Sequence, residues 1–174
     1  MKGRFNRLSA WAGDRRGGVA VEFALLATVF FALVGAILGT ALMYFTQAAL
    51  EKSVRDAARL IRTGQAQGES LTLSAIKARI CAGIDDLYDC NGNLYVSVSV
   101  ASSFANADTS LPVTKGVLNS SSTFDMGNAG DIVVLRAYLP WTPFLNPYGY
   151  ANVRLSNGDT LLGASAVFKN EPYS

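Results

Sequence analysis

The chain has 174 residues, a formal net charge of +2 and no histidine. That length holds one folded domain plus an anchor. The lack of histidine removes Ser-His and Cys-His catalytic arrangements and the commonest metal ligand, and two cysteines are too few for a structural zinc site, so neither an enzyme nor a cofactor is expected.

The charge is unevenly placed. Residues 1–17 carry Lys2, Arg4, Arg7, Arg15 and Arg16 against Asp14, a local +4, which leaves the remainder acidic at −2. Phe23 to Leu50 is 28 residues without Asp, Glu, Lys or Arg. About 20 apolar residues cross a bilayer as a helix, so this run is long enough. A basic flank before such a run marks the cytoplasmic side, not a nucleic-acid surface, and no nucleic-acid partner is expected. The expected arrangement is therefore a single membrane crossing, with residues 1–17 in the cytoplasm and the C-terminal part outside the cytoplasmic membrane.

Residues 1–17 read as a short basic leader. The apolar run is twice the length of a secretory signal core, which argues against an ordinary cleaved signal peptide. From Thr46 the pattern turns amphipathic, with Leu50, Val54, Ala57 and Ile61 on one helical face. Glu51 with Arg55, and Lys52 with Asp56, are spaced for i,i+4 ion pairs. Arg59 and Arg62 suit a helix C-terminus, and Gly64 suits the stop after it. The expected helix covers 18–63 as membrane span and stem, roughly 65–70 Å at 1.5 Å per residue. Gly35 and Gly39 form a G-x-x-x-G on one face, which lets membrane helices approach closely.

Residues 64–174 form the expected extracytoplasmic domain. Gln65 to Ser70 reads as a polar linker. Leu71 to Ala82 reads as a short helix with Leu73, Ile76 and Ile80 on one side. Leu94 to Val100 alternates as a half-buried strand. Ala101 to Gly130 reads as a long loop with a short helix or hairpin near Val117 to Phe124. Asp131 to Leu139 reads as a strand ended by Pro140, Trp141 to Tyr150 as an aromatic loop, and Leu161 to Phe168 as the last strand. The fold class is α+β: a long transmembrane and stem helix, a short second helix and a small antiparallel sheet. Cys81 and Cys90 lie in the exported part, where an oxidising compartment favours a disulfide between them.

Glu22 is the lone charge of the apolar helix, and a carboxylate there needs a reason. Cleavage between Gly17 and Gly18 would make Glu22 the fifth residue and Phe23 the sixth. The new ammonium at Gly18 could then face the Glu22 carboxylate of a neighbouring subunit. Carboxylate pairs elsewhere, such as Asp85-Asp86, read as solvated turns.

The segment Arg15-Arg-Gly-Gly-Val-Ala-Val-Glu-Phe-Ala-Leu25 resembles the amino-terminal motif of TadE-type minor pilins, pseudopilin-like subunits of the tight-adherence (Tad, or Flp) type IV pilus system. Ala57-Ala-Arg-Leu-Ile-Arg-Thr-Gly-Gln65 resembles that family's stem end, and Phe168-Lys-Asn-Glu-Pro-Tyr173 its closing segment. The resemblance implies a pilin-like fold, a prepilin peptidase that cuts after Gly17, and a mature single-pass protein of the bacterial inner membrane with its C-terminal domain in the periplasm, available for incorporation into the pilus. It implies a role for Glu22 in processing, assembly or both, and partners among other minor pilins, the major Flp-type pilin, the inner-membrane assembly platform and membrane lipid. The implied function is assembly of an adhesive pilus used in biofilm formation. The family often has Pro where Thr28 stands. Thr can still bond back to the carbonyl four residues earlier and bend the helix slightly.

A rival reading is an uncleaved single-pass anchor displaying a binding or sensor domain, with Trp141, Phe144, Tyr148 and Tyr150 as its recognition surface.

Overall fold

The computed structural model describes residues 17–84, 90, 92–119, 121–142 and 155–173. Residues 1–16 of the expected leader, Asp85-Asp86 and the aromatic residues Phe144, Tyr148 and Tyr150 lie outside the described residues. Helix α1 spans Gly18–Arg62, α2 Gln65–Gly68 and α3 Leu73–Cys81. Strand β1 spans Tyr95–Ala101, β2 Val113–Thr114, β3 Val117–Leu118, β4 Ile132–Trp141 and β5 Thr160–Lys169. The fold is α+β. Contacts divide the chain after Leu38 into an apolar helical unit and a unit of residues 39–174.

In the second unit, β1, β4 and β5 form an antiparallel sheet in the order β1-β4-β5. Alternation sends Val96 and Val98 of β1, Leu135, Ala137 and Leu139 of β4, and Leu162 and Ala164 of β5 into one core. The apolar stripe of α1 lies in the same core, with Leu50 and Ile61 wholly buried and Val54 and Ala57 nearly so. Ile76 and Ile80 of α3 join it. The opposite face of α1 carries the expected ion pairs, Lys52–Asp56 at 2.9 Å and Arg55–Glu51 at 3.7 Å. Both pairs are well exposed, so each contributes little. Gln47 also reaches from α1 to the sheet, donating to the Gly163 carbonyl at 2.9 Å.

Three expectations are corrected. The polar linker after Gly64 contains a helical turn, α2, whose Ala66 is fully buried. The hairpin in the long loop comes earlier than expected, at β2-β3. Its turn residues Lys115 and Gly116 have φ of 52° and 77°, the two left-handed positions of a type I′ turn. Pro140 does not end its strand: β4 runs through it to Trp141. Gly163 turns its carbonyl outward to Gln47, so its partner Tyr138 turns its own backbone groups away from β5. Pro140, two residues on, does the same. Its missing N–H would point to the β1 side, where pairing has already ended at Tyr95 opposite Tyr138.

The sheet's second face carries Tyr138, Leu155 and Leu161, with Tyr95, Val113 and Leu118 against them. Burial raises the Tyr138 phenol above its ordinary pKa, and its hydroxyl donates to the Ser110 carbonyl at 3.1 Å.

Candidate processing and assembly site

Gly17, Gly18, Glu22 and Phe23 all fall at the very start of α1. A Cβ added at Gly17 or Gly18 would meet nothing within 4 Å, so the backbone there is open to an approaching protein. Glu22 lies one turn after Gly18 and is exposed. Among the described residues it has no ion pair or hydrogen bond. Phe23 is 72% exposed, and Val19, Leu25, Leu26, Val29, Phe30 and Phe31 are similarly bare. An apolar surface this continuous is a membrane or protein contact surface. The helix is long and apolar enough to cross a membrane, and it fits a single-pass anchor.

Thr28 donates to the Ala24 carbonyl at 2.7 Å, the back-bond expected of a threonine in this place. The hydroxyl is thus satisfied within its own helix and adds no polar demand on the surroundings. Gly35 is half-buried, and the space beside Gly39 is empty.

Cys81 closes α3 and is joined to Cys90 by a disulfide, with Cα atoms 5.5 Å apart and both residues buried. The link spans a sequence separation of 9 and ties the end of α3 to the start of the sheet. Loop-closure entropy for so short a ring gives about 2.5–3 kcal/mol. Replacing both cysteines by serine is expected to lower unfolding stability by that amount. Denaturant unfolding of the variant against the oxidised protein measures it, and added reductant should lower the parent's midpoint to match.

The closing segment has a structural role that its sequence does not announce. The Asn170 amide donates to the carbonyls of Met126 (2.9 Å) and Asn128 (3.0 Å). Its backbone exchanges bonds with Asp131 and Gly130. Glu171 N–H donates to the Arg62 carbonyl at 2.8 Å, and its carboxylate pairs with Arg62 Nε at 3.2 Å. The Tyr173 ring fills the place where a Cβ on Gly64 would go, and Gly64 has φ of +77°. Residues 170–173 therefore cap the Arg62 carbonyl at the end of α1 and clip that end to the loop 126–131. In the sequence this stretch stands out only as the motif Phe168-Lys-Asn-Glu-Pro-Tyr173, and its partners, more than 40 residues away or at the end of α1, are set by the fold.

Among the described residues, no three His, Cys, Asp or Glu side chains gather as a metal site. No match is found among curated proteins or solved structures. Residues 17–59 match the family model of TadE-like proteins, a pilus-related family rather than an enzyme family. From Gly17 to Arg59, which takes in the start of the helix, its apolar run and most of the stem, the chain resembles TadE-like proteins, consistent with a TadE-type protein of the Tad pilus system.

Proposed function

We propose that this protein is a minor pilin-like subunit required for assembly of a Tad/Flp adhesive pilus. Prepilin peptidase removes residues 1–17 by cutting between Gly17 and Gly18. The mature chain stays in the bacterial inner membrane, with the α+β unit in the periplasm, until it packs through its N-terminal helix beside other minor pilins, the major pilin and the assembly platform. The observation that carries this reading is a coincidence of boundaries. The family match begins at Gly17, the helix begins at Gly18, and Glu22 is the single charge between Gly17 and Glu51. A bare apolar helix with one carboxylate near its new N-terminus suits lateral packing with like helices. There a neighbour's ammonium neutralises the carboxylate. Pilus-mediated adhesion and biofilm formation follow from that assembly role.

The mature N-terminus and intact mass, measured in cells with and without prepilin peptidase, test it. A peptidase-dependent start at Gly18 is expected. A start at Met1 in both strains would replace this reading with an uncleaved anchor that displays a binding domain.

A further inference from the structure

In the unit of residues 39–174, contacts at both ends of the stem fix how the sheet runs along it. Gln47 donates to the Gly163 carbonyl at 2.9 Å, and Arg62 meets Glu171 through a backbone bond at 2.8 Å and an ion pair at 3.2 Å. Strand β5 therefore runs in the same direction as α1. It begins at Thr160, before Gly163, and Thr160 is paired with Trp141 of β4. The strand from Thr160 to Gly163 covers about 10 Å, the rise of about seven helical residues. The Trp141–Thr160 end of the sheet thus lies about level with Thr40 of α1. Trp141 and Met43, both half-buried, pack on the same core cluster.

At that level the helix is still bare. Leu42, Tyr44 and Phe45 are all well exposed and continue the apolar run of the helix that fits a membrane anchor. The domain core begins at the same height, for Thr46 is buried. The apolar run that needs lipid and the folded unit therefore overlap along the helix, with no polar spacer between them. Lipid that covers Phe45 must also meet the end of the sheet. Tyr and Trp suit that boundary, because a membrane–water interface satisfies both an apolar ring and its polar edge.

The β2–β3 hairpin reaches the same end. Ser156 N–H donates to the Gly116 carbonyl at 2.8 Å, and the Thr142 hydroxyl donates to the Asp159 carboxylate at 2.8 Å, which sets the hairpin tip beside the residues that flank Trp141 and Thr160. That tip presents the exposed Val117 and Lys115, whose ammonium has no ion pair or hydrogen bond among the described residues. Asp159 is already held by Thr142 and Asn157. A lysine near a membrane surface is drawn to anionic lipid.

We propose that this end of the α+β unit is seated on the membrane: Trp141, with Tyr44 and Phe45 of the stem, lies in the lipid headgroup layer, and Lys115 meets lipid phosphate. The seating rests on α1 crossing the membrane and does not depend on leader cleavage or on the pilus role.

Trp11→Phe leaves Trp141 as the only tryptophan of the full chain. This variant is reconstituted in phosphatidylcholine–phosphatidylglycerol vesicles that carry a nitroxide quencher either at the headgroup or in mid-chain. Its fluorescence is expected to fall strongly with the headgroup label and much less with the mid-chain label. Phe104→Trp, with Trp11 and Trp141 both changed to Phe, puts the probe on an exposed site past the opposite end of β1 and should lose nothing to either label. Lys115→Gln should lower the ratio of seated to lifted unit about fivefold, whereas Lys169→Gln, at the other end of β5, should leave it unchanged. If the Phe104 probe fails to fold, the ratio of headgroup to mid-chain quenching on Trp141 decides alone. A Trp141 untouched by both labels, or quenched no more than the Phe104 probe, would overturn the seating, and an unchanged ratio in Lys115→Gln would overturn the phosphate contact. Emission that ignores both labels but shifts with the protein-to-lipid ratio would give this end to a second copy of the chain instead. Carbonate extraction of the same vesicles separates the failures, because a chain that stays with the lipid while Trp141 goes unquenched keeps its anchor and loses only the seating.

Discussion

Replacing Leu50 by lysine is expected to unfold the unit of residues 39–174 while leaving the chain in the membrane. Leu50 is wholly buried between the stem and the sheet. Truncating such a leucine costs about 3–5 kcal/mol, and burying an unpaired ammonium in its place adds several more. A domain of this size has only about 5–15 kcal/mol of net stability, so the sum reaches or exceeds it. Near-ultraviolet circular dichroism and limited proteolysis in detergent would read the loss. Asp56→Lys is the control, because that side chain is 67% exposed on the polar face of the same stem. Persistence of a protease-resistant fold in Leu50→Lys would mean that α1 is not part of the core. The variant bears on function as well, since a subunit whose stem does not fold onto its sheet has no clip at Arg62 and Glu171.

The features legible in the sequence were those set by local periodicity. The stripe Leu50, Val54, Ala57 and Ile61 fixes which face of the stem is buried, because four residues at offsets of four, three and four can meet only as a helix. Gly64 as a stop is equally local, and its left-handed φ agrees with it. Strand β1 was readable from alternation, although Val100 at its far end is 41% exposed, since pattern alone does not say where the covering layer stops. Pro140 reads as a strand end in the sequence yet lies inside β4, because its effect depends on which side of β4 still has a neighbour, and that is a property of register. The parallel bridge of Phe124 to Val98 joins residues far apart in the chain, and no local signal marks it. The candidate processing residues share one short stretch at a helix start, so a motif can find them, whereas the clip of Asn170 and Glu171 onto residues 126–131 and Arg62 exists only once the domain has assembled.

Glu22→Ala is expected to remove the protein from pilus assemblies while leaving its membrane insertion intact. Insertion cannot suffer, since the change deletes the one charge in an otherwise apolar run and makes the helix easier to bury. Assembly should suffer, because in the proposed packing the carboxylate neutralises the Gly18 ammonium of a neighbour, and stripping one partner from a buried pair costs about 3–5 kcal/mol. Each 1.4 kcal/mol is tenfold in an equilibrium constant, so recovery of partner pilins with the tagged subunit should fall by about a hundredfold or more. Glu22→Gln should behave almost as badly, for it keeps the shape and loses the charge. Glu22→Asp should retain part of the function. The N-terminus of each variant must be measured alongside: a Gly18 start with lost partners assigns the carboxylate to assembly, whereas an uncut leader assigns it to recognition by the peptidase. Normal cleavage and normal partner recovery in both Glu22→Ala and Glu22→Gln would refute the paired-charge packing and leave Glu22 as an interfacial charge at the membrane edge.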